Sequence, residues 1–272
     1  MKETINYKLK KPELTDSPPD ITVLNNNWDT IDEELKSQAD ALDAHKADYT
    51  KYGFGNRPYT VSYNTIYIDE ANGNDANNGL TEQTAVKTPG RLIQLIPIFL
   101  QNADFTIKII GNLSALLAIP TVLSHSAGTP RRLIVEGITQ NKENHELSRG
   151  IRANSVQCIL EIRHVNVTAN SIDCSACTYV EINNVSSSLD SSSSASITAL
   201  NGTNMYISNS EINNPSGSCI MSVQLSRILS RNNTGSGTYG LYANSGDIIK
   251  ADATQPTGTS SDERESGGGV VR

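Results

Sequence analysis

Two glutamates stand at matching places in a repeated pattern: Glu161 in ILEIR and Glu181 in YVEIN, each just before an isoleucine, Ile162 and Ile182. If the isoleucines point into a core, the glutamates point outward and stack on adjacent coils. Stacked carboxylates repel, which raises one pKa or draws in a cation. Such a pair works as acid and base, or holds Ca²⁺. The alternative is an ordinary solvated face whose charge is balanced by Arg152, Arg163 or Asp173. The same register puts Tyr206 and Ile228 at the glutamate level. It makes a second outward row of Arg152, Asp173, Thr198, Met221 and Tyr242, and a third of Arg163, Asn183, Ser208, Ser230 and Lys250.

A binding surface needs less than an acid and a base. Tyr179, Tyr206 and Tyr242 are predicted outward, with the amides of Asn183, Asn209, Asn213 and Asn214 close by. Aromatic platforms beside amides suit contacts to sugars. Tyrosine is also favoured on any β surface, so one tyrosine alone decides nothing.

These residues need a scaffold that repeats. Five units between 150 and 256 open on Ile151, Ile172, Ile197, Ile220 and Leu241, at intervals of 21, 25, 23 and 21. A second aliphatic centre follows in each: Ile162, Ile182, Ile207, Leu229 and Ile249. Polar turns such as NNVSSS and RNNTGSG close the units. Two short strands per unit, joined by Asn, Ser and Gly turns, describe a β-solenoid. A β-sandwich has regular short strands too, but its hairpins do not produce units that superimpose in one order. Upstream, FTIKIIGN (105–112) and RLIVEGI (132–138) read as strands of earlier coils. LIQLIPIF reads as a short helix covering the open end of the core.

Ahead of the solenoid, Leu24, Trp28, Ile31, Leu35, Gln38, Leu42, His45 and Tyr49 are spaced alternately by 4 and 3. That 3.5-residue period predicts a left-handed coiled coil over 24–50. Its length is marginal for an isolated dimer, so a homotrimer joined to a larger body is expected. In a trimer three His45 imidazoles meet on the axis, as a hydrated polar layer or as an ion site.

Composition narrows the class. Only 37% of residues are hydrophobic and 5% aromatic, which suits a thin elongated fold. A net charge of −7 argues against nucleic acid as a partner. MKETINYKLKK has no apolar run after its charges, so no secretory signal is expected. LIQLIPIFL is too short to insert in a membrane. The CxxC of Cys174 and Cys177 has no second pair to complete a zinc site, and with Cys158 and Cys219 it reads as buried reduced thiols. Phosphate-loop and HExxH motifs are missing, and the spacing of His125, His145 and His164 fits no nucleophile pattern. No cofactor and no metal are expected. The cluster NGNDANNG (72–79) lacks calcium-loop spacing and reads as the turn that ends the first strand and launches the capping helix.

The run IYIDEANGNDANNGLTEQTAVKT, then an apolar helix, then TIKIIGN resembles the opening of pectin-lyase-like right-handed β-helix proteins. INYKLKKPELTDSPPDITVLNNNWDTIDEEL resembles the leading segment of tail fibres from phages and phage-tail-like particles of Gram-positive bacteria. ATQPTGTSSDERESGGGVVR resembles the closing segment of similar fibres. These resemblances imply right-handedness and a trimeric tail fibre or receptor-binding protein. The expected organisation is an attachment segment (1–23) docking on a tail or baseplate protein, a stalk (24–50), a linker (51–65), a β-helix body (66–254) with its capping helix near 90–100, and a polar tail (255–272). The expected function is attachment to host cell-surface glycan, without catalysis, in a particle assembled from protein made in the bacterial cytoplasm. The alternatives are a tailspike-type polysaccharide lyase or hydrolase using Glu161 and Glu181, and a purely structural spacer.

Overall fold

The computed structural model describes residues 2–3, 10–11, 21–51, 57–101, 103–124 and 131–272. Helix α1, Ile21–Lys51, lies in one compact unit, residues 1–56, and the solenoid forms a second, residues 57–272. Side chains of α1 are described for 26–43, so those of Leu24, His45 and Tyr49 lie outside the described residues. Within that range Trp28, Leu35 and Leu42 are exposed by 68%, 60% and 54%, Gln38 is exposed and Ile31 is partly covered. The opposite face is polar, with Lys36 Nζ 3.0 Å from Asp40.

The second unit is a parallel β-solenoid of about seven turns. Sheet I stacks nine parallel strands: Thr65–Asp69, Phe105–Ile110, Arg132–Gly137, Ile159–Arg163, Tyr179–Asn183, Asn204–Ser208, Arg227–Arg231, Asp247–Lys250 and Val270–Val271. Sheet II carries Leu117–Ile119, Ile151–Asn154, Ile172–Ser175, Ala195–Leu200, the second half of Glu211–Val223, Ser236–Asn244 and Thr257–Ser266. Sheet III carries Glu146–Leu147, Asn166–Thr168 and Ser186–Ser188, and joins sheet II through the bent strand Glu211–Val223.

Alternation along each strand makes the core. In sheet I one inward row is Phe105, Leu133, Leu160, Val180, Met205, Ile228 and Ile248, all buried. In sheet II the predicted openers pair directly: Ile151 with Ile172, then Ile197, Ile220 and Leu241, each no more than 1% exposed. Burying one such side chain contributes about 1.5–3 kcal/mol. The four cysteines are free and buried, and burial pushes the thiols of Cys158 and Cys219 up to about 12.

The corners explain the turn chemistry. Leaving sheet I, four successive coils each turn on one residue in the left-handed region: His164, Asn184, Asn209 and Asn232, with φ from 49 to 56°. Asparagine tolerates that region because its short amide bonds locally. Asn232 Nδ2 donates to Asn209 Oδ1 at 2.8 Å, which links the corners of two adjacent coils.

The second aliphatic row departs from expectation after the third unit. Ile162, Ile182 and Ile207 stack as predicted, but Ile207 pairs with Ser230, not with Leu229. The strand RILSR turns Ile228 inward under Met205, so Leu229 faces out and is 38% exposed. Ser230 is buried in its stead, bonded to Gln255 and to Asn233 Nδ2, so its hydroxyl is satisfied.

At the front, NGNDANNG is a turn. Asp69 Oδ1 accepts from the Ala71 and Asn72 amides at 3.0 Å, and Asp75 accepts from the amides of Lys87 and Thr88 and from Thr88 Oγ1. Thr88 caps helix α2, Pro89–Leu95, and Leu92 and Ile96 enter the core. The helix ends before 100: Phe99–Leu100 is a strand paired with Leu123–Ser124. Residues from Arg57 already belong to the solenoid unit. The Arg57 guanidinium is buried against the carbonyls of Ile96, Pro97 and Thr121 at 2.8–3.0 Å.

The segment 255–272, read from sequence as a polar tail, contains the final coil. Thr257–Ser266 pairs with Ser236–Asn244, and Val270–Val271 with Asp247–Lys250. Glu263 and Glu265 occupy the rows of Leu241 and Ala243. Charges in those rows hid the coil from a hydrophobic period.

Candidate functional site

The outer face of sheet I gathers most of the charged chemistry. Glu161 and Glu181 stack in register, as expected, and Tyr206 follows them. The next residue in that row is Leu229, not Ile228, because of the register shift. In the neighbouring row Arg163, Asn183 and Ser208 continue to Arg231, not to Ser230, whereas Ser230 does pair with Lys250. The row Arg152, Asp173, Thr198, Met221 and Tyr242 stands as expected, on sheet II.

In-register strands bring like charges together, and here each carboxylate is interleaved with a cation. Lys108 bridges to Glu136, Glu136 to Arg163, Arg163 to Glu161, Glu161 to Arg132 and Arg132 to Glu181. Both Glu161 oxygens accept from guanidiniums, Oε1 from Arg163 Nη1 at 2.6 Å and Oε2 from Arg132 Nη1 at 2.9 Å. Arg132 therefore relieves the repulsion that stacking would create between Glu161 and Glu181. The charge balance runs through Arg132 and Arg163; Arg152 is on the other sheet.

The electrostatics follow. Burial opposes ionisation of Glu136, but hydrogen bonds from Lys108 and Arg163 outweigh it and hold this carboxyl below the ordinary glutamate range. The hydrogen bond to Glu181 raises Arg132 against the effect of burial. Burial raises the Tyr179 phenol, and Glu181 and Tyr206 add to the shift.

A depressed folded-state pKa means stability that is present above the unfolded value, ordinarily 4.5, and lost as pH falls through the folded one. Glu136→Gln should therefore lower stability at pH 7 by about 1–2 kcal/mol, discounted for its partly exposed partners. The difference from the parent should shrink as pH drops below 4.5. Urea unfolding at several pH values checks this; a difference that is constant down to acid pH contradicts it.

The predicted sugar-contacting residues divide. Tyr179, Tyr206 and Asn183 share the sheet I face, with Tyr179 and Tyr206 both partly covered and Asn183 Nδ2 donating to Ser208 Oγ at 2.8 Å. Asn209 sits at the adjoining corner. Tyr242 lies on sheet II, where its hydroxyl is 2.9 Å from Ser266 Oγ and the Arg264 guanidinium packs 4.6 Å from the ring centroids of Tyr242 and Tyr239. The central surface is thus Tyr179 and Tyr206 beside Glu181 and Arg132. Sequence reading missed Lys108, Arg132 and Glu136, which lie in strands upstream of the five aligned units. Their signal was the alternation of charge with aliphatics in FTIKIIGN and RLIVEGI.

Among the described residues, no group of three or more His, Cys, Asp and Glu is placed to hold a metal ion. No helix among them is long and apolar enough to cross a membrane. No family model, curated protein or solved structure matches this chain.

Proposed function

We propose that the protein is a tail-fibre protein of a phage or phage-tail-like particle and binds host cell-surface glycan through its solenoid. The observation that carries this reading is the pair Tyr179 and Tyr206 on an outer face whose side chains are clamped by the Arg132 network. Two partly covered aromatic rings on a rigid strand face offer sugar rings a low-entropy platform. Guanidiniums already occupy the carboxylates of Glu161 and Glu181, which supports binding over cleavage.

In this reading the solenoid is right-handed and α1 joins three copies through Leu24, Trp28, Ile31, Leu35, Gln38, Leu42, His45 and Tyr49. The exposure of Trp28, Leu35 and Leu42 along one helical stripe supports self-association. Docking of 1–23 on a tail or baseplate protein rests on the sequence resemblance alone.

Labelled protein binding to Gram-positive envelope fractions tests the reading. Tyr179→Ala with Tyr206→Ala should weaken binding about tenfold or more, at roughly 1 kcal/mol per aromatic contact. Unchanged binding by a folded double variant would remove these tyrosines from the site.

A further inference from the structure

The interval of 25 residues in the repeat has a structural cause that points to a second binding site. The connection from Asn166–Thr168 to Ile172–Ser175 spans residues 169–171, whereas that from Ser186–Ser188 to Ala195–Leu200 spans 189–194. The longer loop stands over the outer face of sheet II. Ser193 and Ser194 of this loop line a groove of about 350 Å³ together with Arg152, Asp173, Leu200 and Met221 of sheet II. Insertions in a solenoid repeat collect on one face, and that face is often the binding one.

The loop is held in place. Asn214 is fully buried, accepts from the Ser191 amide at 3.1 Å and donates to the Ser194 carbonyl at 2.7 Å. Asp190 accepts from Ser216 Oγ at the loop's start. The groove wall is therefore preorganised, and a ligand need not pay to order it.

Charge decides what fits. On sheet I adjacent opposite charges are interleaved into ion pairs. On sheet II, Arg152 and Asp173 are direct register partners, yet no ion pair joins them. Asp173 Oδ2 accepts from Ser171 Oγ at 2.7 Å, and among the described residues neither Asp173 Oδ1 nor the Arg152 guanidinium has a partner. A donor and an acceptor side by side, with no net charge between them, match a group that both accepts and donates. Vicinal hydroxyls of a sugar do so, and Met221 and Leu200 offer an apolar surface to the C–H face of the ring. We infer that this groove binds one or two units of a neutral glycan, Arg152 donating to one hydroxyl and Asp173 accepting from its neighbour. The inference rests on the glycan-binding reading but uses a different face from Tyr179 and Tyr206.

The test is calorimetric titration of the full chain with four neutral disaccharides (maltose, cellobiose, lactose and N,N′-diacetylchitobiose), and with digalacturonic acid as the anionic comparison. Arg152→Gln and Asp173→Asn are surface changes and should leave thermal unfolding unchanged. Each is expected to weaken binding of the preferred neutral disaccharide about tenfold, the effect of losing one charge-assisted hydrogen bond. Tyr179→Ala with Tyr206→Ala should leave unchanged the part of that titration that Arg152→Gln and Asp173→Asn weaken, while weakening envelope binding. Binding of the uronate alone, or of none of the neutral disaccharides, overturns the groove assignment. Neutral binding lost in the tyrosine variant but kept in the groove variants also overturns it, and leaves the sheet I site standing. Failure of the parent protein to bind envelope glycan would instead fell the broader reading.

Discussion

Replacing Gly235 with alanine is expected to destabilise the last coils of the solenoid by about 3 kcal/mol or more, the sum of backbone strain and overpacking. Gly235 has φ +124°, a region that residues with a Cβ rarely adopt. A Cβ there would also lie 1.8 Å from the Ile212 carbonyl oxygen on the preceding coil. Backbone cannot move aside cheaply, because the Ile212 amide donates to the Thr234 carbonyl at 2.8 Å and the Thr257 amide to the Gly235 carbonyl at 3.0 Å. The one residue thus sits between two rungs of the stack. Stability in a solenoid is local, so the loss should concentrate in residues 227–272 and leave the front coils protected. Gly268→Ala is the control: it has φ +81° but open space around a Cβ, so strain acts alone and costs about 1 kcal/mol. Hydrogen exchange and urea unfolding of the two variants check the contrast. Equal losses in both would show that the close approach to Ile212 does not matter.

The largest functional effect is expected from α1. Trp28→Asp, Leu35→Asp and Leu42→Asp together put charge on the exposed apolar stripe of that helix. Buried unpaired charge at three levels of a helical seam is incompatible with association. The variant should run as a monomer by light scattering, and the parent should run as the proposed trimer. Envelope binding should then fall by about 10²–10⁴, since three linked sites gain that much in avidity without any new contact. Disaccharide binding by a single solenoid should not change, because the helix and the solenoid form separate compact units. A parent protein of monomeric mass contradicts the trimer. A monomeric variant that still binds envelope as the parent does contradicts the avidity argument.

How far the fold could be read from sequence depended on where the aliphatics fell. Sheet II was legible because Ile151, Ile172, Ile197, Ile220 and Leu241 fill one inward row without exception. Sheet I was legible through Ile207 and then slipped, since RILSR offers two adjacent aliphatics and a strand can turn only one of them inward. The core preferred Ile228 and buried Ser230 beneath Ile207, which a hydrophobic period does not anticipate. Such buried hydroxyls and amides are common toward the end of the chain. Thr203, Ser210, Ser222 and Asn233 are all buried and hydrogen-bonded. Polar satisfaction by neighbouring coils depends on pairings far apart in sequence, and the final coil was invisible because exposed Glu263 and Glu265 stand in the rows of Leu241 and Ala243.

The site was legible in a different proportion. The stacking of Glu161 on Glu181 follows from a period of two within each strand and was readable. Their neutralisation by Arg132 was not, because it required the register of Arg132–Gly137 against Ile159–Arg163, and that strand lies outside the aligned units. Tyr242 was correctly placed in the Arg152 row, but a list of tyrosines does not reveal that this row lies on a different sheet from Tyr179 and Tyr206. The groove beside Ser193 and Ser194 was present in the sequence only as a longer interval.

Recognition of glycan by the solenoid is the central proposal. Its most direct test is binding of the labelled full chain to a panel of Gram-positive envelopes, untreated, oxidised with periodate, or digested with proteinase. Binding that survives proteinase and is abolished by periodate, which cleaves vicinal hydroxyls, is the predicted result. Binding that survives periodate and is abolished by proteinase, or none to any envelope, would contradict it.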